Sequence, residues 1–344
     1  MSRINNFDLV RFLAASQVLV WHAAAQLDYF YPIYGFLRVL FHIPGVPIFF
    51  ALSGFLLSYS VHNKVFDWKK YSKNRILRIY PALYVCTLLT GATMLFFLPN
   101  VGISTWAIWL VSQLTFLQPF VPTDLKAYGV GHPNGSLWSI AVELQYYVVL
   151  PLIWWVIGSW KRLAQNGALL VLGLSSIGFR FWVENALAPE SMIWKALTVS
   201  LPYHLYFFIF GMIVYVNWSA WRMYLEEKVG LWILLYATYV LIGAEWFGWY
   251  QNPYDYHLPG LIANSLLVAV VFSAAFSAIH VSEKLLRGND ISYGLYIYHM
   301  PIVNVFVMYH AKGALLWVIL TLILSTVFAW LSWRFVEKPF LRLK

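Results

Sequence analysis

The chain has 344 residues, 61% of them hydrophobic and 11% charged, and its mean hydropathy is +0.67. That balance excludes a soluble globular core and describes a polytopic membrane protein. A net charge of +9 invites a nucleic-acid partner, but the basic residues sort to one side of the expected membrane, which argues against one.

The 18 Trp and 23 Tyr suit interfacial belts. Cys86 is the single cysteine, so no internal disulfide forms, and nine scattered histidines make no metal-ligand pattern.

Hydropathy predicts ten spans, at 7–27, 38–60, 80–98, 136–157, 167–187, 200–218, 229–249, 257–280, 290–310 and 313–335. Each is near the roughly 20 residues that cross a bilayer. The first carries Asp8, Arg11 and His22 on one stripe, because offsets of three and fourteen fall within roughly 60° of arc. A charge at mid-bilayer costs about 2.5–3.5 kcal/mol on insertion scales, so aligned ionisable groups point to a pathway or to chemistry. Arg3, Arg11 and the run Ala23-Ala24-Ala25-Gln26 also fit a cleaved signal peptide, but Asp8 makes a poor leader and the run continues into aromatic residues.

The loop 61–79 holds Lys64, Lys69, Lys70, Lys73, Arg75 and Arg78. Lipid anchoring accounts for most of the lysines. Arg75 and Arg78 are three apart, so they share a face where the third span begins, and paired guanidinium forks suit a phosphorylated ligand. Residues 104–120 are apolar but short, and Gln113, Gln118 and Pro119 interrupt them, so a re-entrant or interfacial helix is expected there. The stretch 129–135 is a turn-rich connector, with Asp124 and His132 placed to touch an acceptor at the outer mouth. In the fourth span, Ser136, Ser139 and Glu143 form a polar stripe. Arg180 sits mid-span without an obvious partner, and His299 precedes Pro301, where a kink is expected; a packing histidine bonded to Tyr293, Tyr296 or Tyr298 and an active-site histidine both fit it.

With a cytoplasmic amino terminus and ten alternating spans, the outer side holds only Arg38, Lys126, Lys195 and Lys312. Arg11 and Arg180 lie within spans, leaving 17 of the 23 basic residues inside. This asymmetry supports both termini being cytoplasmic. One transmembrane domain, 1–344, is expected, with no appended solvent domain.

His22 lies about 8 Å below the expected outer surface and Glu143 about 10 Å. At matching depths the two can meet. A buried imidazole beside a carboxylate is a general base with its tautomer set. The same contact also serves as an interhelical hydrogen bond that only aids packing.

Six segments in order carry a family resemblance: NFDLVRFLAASQVLVWH with Asp8, Arg11 and His22, PIFFALSGFLLS with Ser53 and Gly54, RILRIYPAL with Arg75 and Arg78, NGSLWSIAVELQYY with Glu143, SYGLYIYHMP with His299, and WRFVEKPF with Glu337 and Pro339. Together they resemble the acyltransferase-three family, bacterial inner-membrane O-acyltransferases that modify cell-surface polysaccharides. The resemblance implies acyl-CoA, most often acetyl-CoA, as a co-substrate held near Arg75 and Arg78, with no permanently bound cofactor. It implies His22 as the catalytic histidine and a saccharide hydroxyl, such as one on an O-antigen, as acceptor. Glu143 is then expected to orient His22, Asp8 and Arg11 to form a buried pair lining the route or tying the first helix to its neighbours, and Ser53, Ser136, Ser139 and His299 to line the pocket. Histidine can also act as a nucleophile, giving an acyl-histidine intermediate. The rival classes are a proton-coupled transporter of saccharide or lipid, relaying protons through Asp8, Arg11, His22 and Glu143, and a non-catalytic assembly subunit.

Overall fold

A computed structural model describes residues 5–62, 66–250 and 252–344. Arg3 and Lys64, two of the basic residues expected on the inner side, lie outside the described residues. Among the described residues the protein is 78% helix, with no strand. Ten principal helices fall on the ten hydrophobic segments: α1 (Phe7–Gln26), α2 (Gly45–Val61), α3 (Trp68–Phe97), α4 (Trp138–Ile157), α5 (Arg162–Ala186), α6 (Leu201–Leu225), α7 (Val229–Leu241), α8 (Leu258–Phe276), α9 (Ser292–Met308) and α10 (Leu315–Ser332).

Among the described residues, seven helical stretches are long and apolar enough to cross a membrane. They contain α2, α3, α4, α5, α6, α8 and α10. The other three fall short for separate reasons. Asp8, Arg11, Gln17 and His22 dilute α1. α7 has 13 residues and α9 has 17, which at 1.5 Å per residue give roughly 20 and 26 Å against a hydrocarbon core of about 30 Å.

Several helix ends differ from expectation, α2 for one starting at Gly45 rather than 38, and two differences bear on the site. α3 starts at Trp68, twelve residues before the expected span, because Asp67 caps it: the carboxylate accepts a hydrogen bond from the Lys70 N–H at 3.1 Å. Arg75 and Arg78 therefore ride on a formed helix. In the 104–120 region only Ile103–Gln113 is helical, 11 residues, too short to cross.

The chain packs as two compact units. The first comprises Met1–Ala14, Phe41–Val65 and Gln145–Gly288. Its core gathers Phe7, Phe55, Phe272 and Phe276, with the Phe7 ring 5.2 Å from Phe276 and 5.8 Å from Phe55. α2 and α6 pack backbone to backbone there. A Cβ on Gly54 would collide with the Phe208 carbonyl, and one on Gly211 with the Ala51 carbonyl, so glycine on both helices permits the close approach.

The second unit comprises Ala15–Leu40, Phe66–Leu144 and Asn289–Lys344. In it α3 and α9 run side by side in the same direction. Arg78 meets Asp290, the Tyr293 hydroxyl donates to the Ile79 carbonyl at 3.1 Å, and the Cys86 thiol donates to the Ile297 carbonyl at 3.2 Å. Cys86 is buried.

Candidate active site

Two histidines from distant parts of the sequence meet in the second unit. His22, half-buried on α1, places Nδ1 2.9 Å from Nε2 of His299 on α9. The rings stack with centroids 5.1 Å apart and 20° between planes. His299 is fully buried, and its Nδ1 lies 3.2 Å from the Leu295 carbonyl oxygen one turn earlier.

Pro301 shapes this part of α9. It has no N–H to offer the carbonyl four residues back, that of Ile297. Asn134 takes that carbonyl instead, its Nδ2 donating at 2.8 Å alongside the Cys86 thiol. The segment 129–137 is thereby pinned against the middle of α9. Asn304, fully buried, accepts from the Val130 N–H and donates to the carbonyls of His132 and Pro133, each at 2.9 Å. Gly129 has a φ of +60°, and a Cβ there would strike the Asn304 side chain. Ser136 Oγ approaches Asn134 Oδ1 at 2.6 Å, and the hydroxyls of Ser139 and Tyr296 lie 2.6 Å apart.

This pinning decides where Glu143 goes. α4 starts partway along α9, and Glu143 is seven residues past Ser136, roughly 10 Å further along the helix axis. Its charge acts on the phenol of Tyr71, as does that of Arg75, whose guanidinium lies 5.8 Å from the centre of the Tyr71 ring. Glu143 thus sits towards the arginine end of α3. On the Nδ1 side of the His22 imidazole, where a carboxylate was expected to orient the ring, stands His299. The expectation of matching depths assumed that α4 begins at the outer surface.

Arg78 is already engaged. Its guanidinium meets Asp290 at 2.5 Å, with the Arg78 side chain 21% and the Asp290 side chain 8% exposed. Asp290 also accepts from the Ser292 N–H at 3.3 Å and from its hydroxyl, starting α9. Glu337 is buried close by in a π turn, accepts from Ser332 Oγ at 3.1 Å and feels the charges of both Arg78 and Asp290. Asp290 escaped the sequence reading because an acidic residue just before a helix reads as an ordinary cap.

The sequence from residue 4 to residue 334 matches the acyltransferase-three family, described as an acyltransferase domain. The chain belongs to that family. Nodulation protein 10 of Rhizobium leguminosarum bv. viciae is 29% identical over 363 residues, covering 99% of this chain and 94% of that protein. An O-acetyl transferase of Shigella phage Sf6 is 26% identical, covering 99% and 97%. O-acetyltransferase OatA of Staphylococcus aureus is 24% identical over 96% of this chain, which spans 56% of that protein's length. No solved structure matches the chain. Its apolar helices and its family make it a membrane transferase.

Not every candidate of this acyltransferase-three chain lies in the second unit. Asp8 and Arg11 pair at 3.4 Å within α1, in the first unit. Their side chains are 48% and 26% exposed, so the pair is not buried as expected; Asp8 occupies the first turn, where side chains project past the helix start. Ser53 is half-buried on α2, beside Gly54. Arg180, also in the first unit, has the partners that the sequence could not name. It donates to the Tyr206 hydroxyl at 2.8 Å and lies 4.6 and 5.0 Å from the ring centres of Tyr203 and Tyr256. In the second unit, Asp124 and His132 are exposed, and the Asp124 carboxylate accepts from the Thr105 hydroxyl at 3.0 Å.

Proposed function

We propose that this chain is an O-acyltransferase of the bacterial cytoplasmic membrane. It moves an acyl group, acetyl before longer chains, from cytoplasmic acyl-CoA to a hydroxyl of a saccharide such as an O-antigen unit or another cell-surface polysaccharide. The observation that carries the reading is the half-buried His22 imidazole, hydrogen-bonded through Nδ1 to a fully buried second imidazole, in a chain of an acyltransferase family. The O-acetyltransferase names of the phage and staphylococcal relatives support O-acetyl transfer.

His22 acts as general base. Its Nε2 takes the proton of the acceptor hydroxyl as that oxygen attacks the thioester carbonyl. The carbon–sulfur bond then breaks, and the thiolate leaves with the proton that His22 returns. Acyl-CoA is a co-substrate, and the chemistry calls for no resident cofactor or metal. Arg75 and Arg78 hold the donor end, Arg75 beside the Tyr71 ring and Arg78 paired with Asp290. Glu143 serves that same end, balancing the charge around Arg75 and Tyr71. Ser136 and Ser139 line the α4 start beside Tyr296. Asp8 and Arg11 tie the start of α1, and Ser53 lines α2. Ten spans with both termini cytoplasmic, and a re-entrant or interfacial 104–120 region, are the arrangement we adopt. The ten principal helices and the one-sided basic residues favour it.

The test is direct. Full-length protein in lipid nanodiscs is given labelled acetyl-CoA and membranes of the producing organism as acceptor source. Acceptor-dependent release of free CoA, with label on a glycan by mass spectrometry, is the expected result. Movement of saccharide without acetyl-CoA consumption would establish the transporter instead.

A further inference from the structure

We infer that His299 is a positioning residue that fixes the proton of His22 on Nδ1, so that Nε2 is the basic atom. The inference deepens the acyltransferase reading and rests on it.

The argument runs along one line of hydrogen bonds. The Leu295 carbonyl, 3.2 Å from His299 Nδ1, can only accept. His299 Nδ1 therefore carries a hydrogen. A neutral imidazole has one N–H, so His299 Nε2 is bare. The atom 2.9 Å from it, His22 Nδ1, must then donate. His22, neutral as well, is left with an unprotonated Nε2, the atom that general-base chemistry requires.

The opposite assignment needs His299 doubly protonated. That would be a cation with no exposure, and among the described residues no carboxylate lies within ion-pair distance of it. It would also point N–H at His22 and move the remaining proton to His22 Nε2, removing the base.

The arrangement is ready for the charged state too. When His22 accepts a proton on Nε2, its Nδ1–H still points at the His299 lone pair, so neither ring has to turn. Rigidity comes from α9, whose turn at 295–301 is held by Asn134 and Cys86 on the Ile297 carbonyl.

Full-length protein carrying ¹⁵N-labelled histidine, reconstituted in lipid vesicles, reports the tautomer by solid-state NMR, with His22→Ala identifying the His22 signals. A protonated Nδ1 and a bare Nε2 on His22 are expected; a proton on Nε2 would overturn the inference. Turnover of labelled acetyl-CoA with membranes of the producing organism supplies the second measurement. His299→Leu should lower turnover about 10²-fold or more with the KM for acetyl-CoA unchanged. His299→Gln offers an amide oxygen near the former Nε2, and should recover at least about tenfold of that loss. Wild-type turnover in His299→Leu, or no recovery in His299→Gln, would overturn the positioning role and leave the acyltransferase reading standing. Wild-type turnover in His22→Ala would overturn the acyltransferase mechanism itself.

Discussion

Nδ1 of His22 and Nε2 of His299 lie 2.9 Å apart, although 277 positions separate the two residues in sequence. One imidazole is half-buried and the other has no exposed surface. This division suits a reactive ring supported by a structural one.

His22→Ala should therefore reduce CoA release by about 10²–10⁴-fold, the usual range for a lost general base. Equilibrium binding of acetyl-CoA should stay within about twofold, because the donor end is built from other residues. Mass spectrometry of peptides quenched during turnover should find no acyl group on Phe7–Gln26. An acyl adduct on His22 would show instead that the imidazole is the nucleophile.

Arg75 and Arg78 should behave differently although they are three residues apart. Arg75→Ala should raise the KM for acetyl-CoA while kcat stays near the wild-type value. Asp290→Ala removes the carboxylate that meets Arg78 and should cost about 2–3 kcal/mol, towards the low side for a broken buried pair because Arg78 keeps some exposure and Glu337 lies near it. The apolar double variant Arg78→Met with Asp290→Leu should recover part of that loss, measured as the unfolding midpoint in detergent.

Asn304→Leu removes the side chain that accepts from Val130 N–H and donates to the carbonyls of His132 and Pro133. Leaving such groups unpaired costs about 1–3 kcal/mol each, and loop relaxation keeps the expected total near ~3 kcal/mol. Limited proteolysis should show faster cutting around 123–134, and turnover should fall because the start of α4 loosens.

Gly211→Leu forces a side chain into the backbone of α2. Overpacking typically costs about 1–3 kcal/mol, and contact with main chain rather than a flexible side chain puts this variant at the upper end. The expected readout is a lower unfolding midpoint, while Gly167→Leu, where no atom lies within 4 Å of the added Cβ, should unfold as the wild type does.

The positions of the helices were legible because a hydrophobic run near the right length leaves few alternatives. Each of the ten expected segments carries a principal helix, and the family was readable in six short segments. Boundaries shifted where a single polar side chain intervened, as Asp67 did for α3. His22, Arg75 and Arg78 were readable as candidates because an ionisable group in an apolar run, or a pair at helical spacing, stands out by itself. Their partners were not. Glu143 was matched to His22 by counting residues from an assumed membrane surface, whereas tertiary packing sets Asn134 and Ser136 against Ile297 and Tyr296 of α9 and brings Glu143 near Tyr71.

Local composition, then, determined that this chain is helical, membrane-bound and equipped with ionisable groups inside apolar runs, since hydropathy and helical period act over neighbouring residues. Which imidazole faces which, and which carboxylate answers which guanidinium, only the tertiary structure decided. Those pairings join segments far apart in sequence, and their geometry depends on where each helix begins relative to its neighbours. The freed carbonyl of Ile297 shows the reason most plainly: Pro301 announces the vacancy in the sequence, but only packing brings Asn134 to fill it.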